Sequence, residues 1–163
     1  MLALFVAAAS MTGCGQEAVH FNNGLTKLET RVEAPLKALM MHFKAFAESS
    51  NFDAAKAEAD FTQTLEAIDG VVKEVQATPV IGATLAKEFH TAYLAYYASI
   101  REAVTTDVRA GLDVLKDPAT SDREKATAWV PHGTKVRDKL QAAMAALLSV
   151  QRQFAAAHNM TLK

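Results

Sequence analysis

Apolar residues recur every three or four positions along four stretches of the chain, and this spacing puts each set on one face of a helix. In the first stretch, from about Asn23 to Glu48, the face is Leu25, Leu28, Val32, Leu36, Leu39, Phe43 and Phe46. Thr26 and Glu29 have the spacing of a capping box, and Pro35, which lacks a backbone donor, predicts a bend. The second stretch, from about Asp53 to Ala77, carries Ala54, Ala57, Phe61, Leu65, Ile68, Val72 and Val75, with Asp53 placed to cap it. The third opens after Thr78-Pro79, read as a cap followed by proline at the first helical position, and ends near Lys116, before Asp117-Pro118. The fourth begins with a capping box at Ser121 and Glu124 and runs to about His158. Its stripe is Val136, Leu140, Ala143, Leu147, Val150, Phe154 and Ala157, and Pro131 with Gly133 predicts a kink or a short separate helix over 122–130 near its start.

Short connections make consecutive helices antiparallel. The expected fold is therefore all-α, an up-down-up-down four-helix bundle over residues 24–163, preceded by an N-terminal signal and tether segment. Four helices return the C-terminal residues Met160 to Lys163 to the end at which the bundle begins.

Composition sharpens this reading. Half of the 163 residues are hydrophobic, yet only 7% are aromatic, because alanine supplies 32 of them. Alanine loses no side-chain entropy in a helix. Four prolines and seven glycines are too few for an all-β domain, which turns every 8–12 residues. A single cysteine excludes a disulfide scaffold. The net charge of -1 shows no basic excess, so no nucleic-acid partner is expected.

The first thirteen residues, MLALFVAAASMTG, carry no charge, and every Asp, Glu, Lys and Arg lies at Glu17 or later. An apolar run from Leu2 to Ala9 followed by small residues has the order of a secretory h-region and cleavage site. It is shorter than the roughly 20 apolar residues that span a bilayer. The one cysteine follows at once, as Met11-Thr12-Gly13-Cys14. This tetrapeptide resembles the lipobox of bacterial lipoproteins, with Met11 where that family prefers leucine and no basic residue ahead of the apolar run. The resemblance covers only these fourteen residues. It implies cleavage before Cys14, lipid on that cysteine, and, with Gly15 rather than Asp next, the outer membrane facing the periplasm. Residues 1–13 are thus read as a lipoprotein signal peptide whose own start lies upstream, and residues 14–23 as lipidated cysteine and a tether or frayed helix start, closed by the turn-like cluster Asn22-Asn23-Gly24. The other reading of the same residues is an apolar N-terminal segment with a core cysteine.

Candidate chemistry is sparse. His20, His42, His90, His132 and His158 do not converge. At 1.5 Å rise per residue His42 stands about 30 Å up the first helix, His90 about 15 Å up the third, and His132 about 40 Å up the fourth. No metal is expected from them, because ligands of one ion must lie within a few ångströms of each other. Glu17-x-x-His20 is a lone motif where a di-iron bundle needs two. A histidine near the end of the fourth helix resembles the b-type cytochrome bundles, but Leu25 and Leu28 stand where an axial methionine belongs, so no haem is expected. No nucleophile motif or phosphate loop occurs, and no catalytic residue is assigned. Glu58, Asp60, Glu66, Asp69 and Glu74 interleaved with Lys56 and Lys73 read as a solvated helix face.

Two features suit a ligand or partner patch. Tyr93, Tyr96 and Tyr97, with Arg101 one turn beyond Tyr97, form the densest aromatic cluster; the alternative is a wide core stripe with Arg101 over a ring. Trp129 precedes the Pro131 interruption, where the alternative is a helix start tucked over the bundle top. The expectation is a non-enzymatic envelope lipoprotein that contacts the membrane through Cys14 and uses its bundle for binding or assembly with an envelope protein. The alternative is a carrier of a small ligand, haem or metal in the bundle interior.

Overall fold

The computed structural model describes residues 6–7 and 13–162. The chain is an all-α helical bundle. Helix α1 spans Gly13–Ser49, α2 Ala54–Ala77, α3 Ala86–Ala103, α4 Arg109–Lys116, α5 Asp122–Ala128 and α6 Val130–Ala157. A π-helical turn, Val104–Val108, joins α3 to α4 as one rod, and α5 with α6 forms the last rod. A two-residue antiparallel bridge pairs β1, Val6–Ala7, with β2, Thr161–Leu162. The C-terminal residues therefore do return to the end where the bundle begins.

The core is the sum of the expected faces. Leu25, Val32, Leu39 and Phe43 of α1 meet Ile68 and Val75 of α2, Phe89, Tyr93 and Ile100 of α3, and Leu147 and Phe154 of α6. Burying each such side chain contributes roughly 1.5–3 kcal/mol. Two of the expected caps form. Asp53 accepts from the Lys56 amide at 3.0 Å, and the Ser121–Glu124 box closes in both directions.

Three expectations are corrected. First, α1 starts at Gly13, not near Asn23, so residues 14–23 are helix rather than tether. Ala18 and Phe21 extend the Leu25–Leu28–Val32 stripe by the same steps, and both are buried. The turn-like Asn22-Asn23-Gly24 is overridden because the Asn22 amide, fully buried, accepts from Gln151 Nε2 at 2.9 Å. Second, Thr26 and Glu29 cap nothing. They lie inside α1, where Thr26 Oγ1 donates to the Asn23 carbonyl and Glu29 faces Tyr93. Third, Thr78-Pro79 does not open the third helix. Thr78 ends α2, its hydroxyl donating to the Glu74 carbonyl at 2.8 Å, and α3 begins at Ala86 after Leu85 in the left-handed region. The interruption expected near Pro131 and Gly133 is present: α5, Asp122–Ala128, is a short separate helix ending at Trp129, and Pro131 sits in the first turn of α6, where its missing N–H has no partner to lose.

The leader expectation falls mainly on residues 1–5 and 8–12, Met11 and Thr12 included, which lie outside the described residues. Cys14 itself lies in the first turn of α1.

Candidate apolar groove

Neighbouring rods pack unevenly around the bundle. Helix α1 lies along α2, and α3 lies along α6 on a seam where Ala92 and Ala95 face Ala143 and Ala146. Small side chains let those two helices approach closely. The remaining side, between α1 and α6, is held at its ends instead. At the lower end Gln151 reaches Asn22, and the Phe21 and Phe154 rings stand 6.0 Å apart. At the upper end Trp129 packs on Phe43, with ring centroids 5.1 Å apart.

Glycines make the upper clasp possible. A Cβ on Gly133 would lie 2.5 Å from the Trp129 ring, and one on Gly111 would lie 2.9 Å from the Phe43 ring. Gly133, which reads in sequence as an interruption of the helix, is the residue that lets the indole lie against α6.

Between the two clasps a groove of about 820 Å³ opens. Leu36 and Met40 of α1 form one wall and Tyr96 of α3 contributes to the lining. Leu140, Met144 and Leu148 of α6 form the other wall, with Ala145 among them. Such a volume suits a small apolar ligand. The lining holds two cations, Arg137 and Arg152, and no carboxylate. Arg137 donates from Nε and Nη2 to Asp138 at 3.0 and 2.9 Å. Arg152 has no ion-pair partner among the described residues and stands beside Gln151, at the lower clasp.

The sequence reading missed this site. Its strict stripe on α6 named Leu140, Ala143, Leu147 and Val150. A second row, Leu140, Met144, Leu148 and Arg152, runs in steps of four beside it and was the available signal. An apolar arc that wide serves two neighbours, α3 on one side and the groove on the other.

The aromatic cluster sits inside the protein. Tyr93 and Tyr97 are fully buried and Tyr96 nearly so. The Tyr93 hydroxyl donates to Glu29 Oε1 at 2.8 Å. Burial pushes the Glu29 carboxyl above its ordinary range, with nearby Glu33 adding to the rise and the Tyr93 hydrogen bond opposing it. All three tyrosines are pushed up, first by burial and then by the Glu29 charge. The Tyr97 hydroxyl finds no partner among the described residues. Of the three, only Tyr96 reaches the groove. Arg101 covers no ring; its Nε donates to Asp69 at 2.8 Å on the surface. It is Arg109 that lies over a ring, 3.8 Å from the Phe61 centroid. Trp129 is half-buried at the bundle top.

The carboxylates of α2 are not simply solvated. Glu58 receives Arg109 at 2.7 and 2.9 Å and Lys116 at 2.6 Å, and these hydrogen bonds hold it at about 2. Asp60 meets His42 Nε2 at 2.7 Å, Asp69 meets Arg101, and Glu74 meets Arg31. At the π turn, burial pushes the Asp107 carboxyl up, but Lys139 and Thr106 outweigh it and hold it below its ordinary value.

The histidines lie apart. His90 Nε2 meets the Val75 carbonyl at 2.6 Å, His158 Nε2 meets the Thr84 carbonyl at 2.9 Å, and His20 is exposed. His132 Nδ1 is buried beside Trp129 without a partner among the described residues. Among the described residues no group of three or more His, Cys, Asp or Glu stands together as a metal site. No described helix is long and apolar enough to cross a membrane.

The fold and groove define a helical bundle with one open, apolar side. Comparison with protein-family models, with curated proteins and with solved structures gives no match to this chain.

Proposed function

We propose that this chain is a non-enzymatic lipoprotein of the bacterial envelope, held by lipid on Cys14 at the outer membrane and facing the periplasm, whose bundle binds an apolar ligand in the groove between α1 and α6. The groove of about 820 Å³ carries the binding half of this reading. A bundle built only as a spacer gains by closing its fourth side, since every apolar side chain left in water forfeits transfer free energy. Here Met40, Met144 and Leu148 stay partly open while both ends of the same side are clasped. The arrangement favours a small ligand over the assembly role that the sequence also suggested.

The order of an uncharged apolar run, small residues and a single cysteine supports the anchoring half. Several acyl chains hold stably where one binds marginally. With α1 beginning at Gly13, a lipid on Cys14 would leave the bundle close to the bilayer rather than on a long tether. The lower clasp at Asn22 is eight residues from Cys14, about 12 Å along a helix.

Each half has its own test. Labelled palmitate should be incorporated into the wild-type chain in bacteria and not into Cys14→Ala, which should leave the membrane fraction; a variant that stays membrane-bound would contradict the anchor. An apolar fluorescent probe should bind the full chain and lose its site in Ala145→Trp, whose indole would fill the groove from an exposed position. Equal probe binding by both proteins would contradict the groove.

A further inference from the structure

We infer that the occupant of the groove is a long-chain fatty acid, with its hydrocarbon chain along Leu148, Met144 and Leu140 and its carboxylate on Arg152. This inference rests on the groove being a ligand site.

Three observations lead to it. The first is charge. Two arginines and no carboxylate line an otherwise apolar groove, so its field favours an anion attached to an apolar body. Arg137 already donates to Asp138, whereas Arg152 has no acidic partner among the described residues. An Arg fork is suited to accept a carboxylate through two parallel hydrogen bonds.

The second is shape. From Leu140 to Arg152 the wall runs twelve residues, about 18 Å along the helix. That is the span of an extended long acyl chain. A helix with its side chains is about 10–12 Å across, and seating one would require α1 and α6 to part. The Gln151–Asn22 hydrogen bond below and the Phe43–Trp129 contact above resist that separation.

The third is the lining itself. Met40 and Met144 both line the groove, with Leu36, Leu140 and Leu148. Unbranched, polarisable methionines adapt to a flexible chain that has no fixed shape of its own. Each methylene taken from water strengthens binding about fourfold, so affinity should climb with chain length until the groove is full.

Calorimetric titration of the full chain with palmitate and with methyl palmitate tests this. Palmitate should bind one to one, and the neutral ester about tenfold more weakly at low salt. Arg152→Ala should weaken palmitate by about tenfold and leave the ester unchanged. Ala145→Trp should remove both ligands. Equal affinity for acid and ester, or an unchanged palmitate affinity in Arg152→Ala, would overturn the inference. So would a failure of palmitate to bind. If an apolar probe still binds wild type and not Ala145→Trp in that case, the groove remains a ligand site and only the fatty acid falls. If the probe also ignores that substitution, both fall.

Discussion

Among single residues, Glu29 and Glu58 show how position alone sends two glutamates in opposite directions. Glu29 is buried against Tyr93, and its carboxyl is raised from the ordinary 4.5. The folded state then holds this proton more tightly than the unfolded chain. The stability Glu29 contributes is complete below 4.5 and falls as pH rises through its folded value. Glu29→Gln keeps an oxygen to accept from Tyr93 and removes the buried charge, so its thermal midpoint should exceed that of wild type at pH 7 and vary less with pH. Glu58, held at about 2 by Arg109 and Lys116, behaves in the opposite way. Its stabilisation is complete above 4.5 and is lost as pH falls from there toward 2. Denaturant melts of Glu58→Gln should match wild type at pH 2 and fall below it at pH 6. Both residues are visible in the sequence, but their states are not. The partners of Glu29 and Glu58 lie 64 and 51–58 residues away, and nothing local announces them. The tyrosines illustrate the same limit. Their spacing marked a cluster on a helix, and only the positions of the neighbouring helices determine that all three are interior.

Among the helices, local signals were read correctly where local energies decide the outcome. The Ser121 box is an example: satisfying two orphan amides needs only four consecutive residues. Ser121→Ala should cost about 1 kcal/mol in equilibrium unfolding if α5 is part of the cooperative unit. Where tertiary contacts decide, the same kind of signal misled. Asn22-Asn23-Gly24 has turn composition, yet it continues α1 because Gln151 satisfies Asn22 from across the bundle. Thr78-Pro79 has the composition of a helix start, yet Thr78 closes α2. The π turn at Val104–Val108 shows only as three successive steps of four, Ile100, Val104, Val108 and Leu112, which an unbroken α-helix would carry off its face. Gly133 is the clearest case of a helix residue set by its neighbour. Alanine there would gain about 1 kcal/mol in helix propensity. Its Cβ would meet a Trp129 ring already packed on Phe43, and overpacking of that kind costs about 1–3 kcal/mol. Gly133→Ala should therefore lower the denaturation midpoint, and near-ultraviolet dichroism of the lone tryptophan should report the displaced indole.

Across the whole molecule, the bundle follows from the four stripes and the short connections, and both were legible in the sequence. The open side was not, because openness depends on how far apart two helices stand rather than on what either carries. Helices α1 and α6 are fixed relative to each other by contacts at the two ends: a hydrogen-bonded amide pair below and an indole on a phenyl ring above. Removing an end should loosen the groove. Gln151→Ala leaves Asn22 buried with an unmet acceptor, so it should cost about 1–3 kcal/mol of stability and also weaken binding of the apolar probe. The central claim is that the groove between α1 and α6 is where the protein binds its ligand. Its methionines allow a direct measurement. Met40 and Met144 line the groove on opposite walls, Met41 projects to solvent with 46% exposure, and Met160 is buried near the C-terminus. In methyl-labelled NMR spectra of the full chain titrated with palmitate, the Met40 and Met144 signals should move together and saturate at one equivalent, while Met41 and Met160 hold their positions. Shifts at Met41 or Met160 with Met40 and Met144 unmoved would contradict the account.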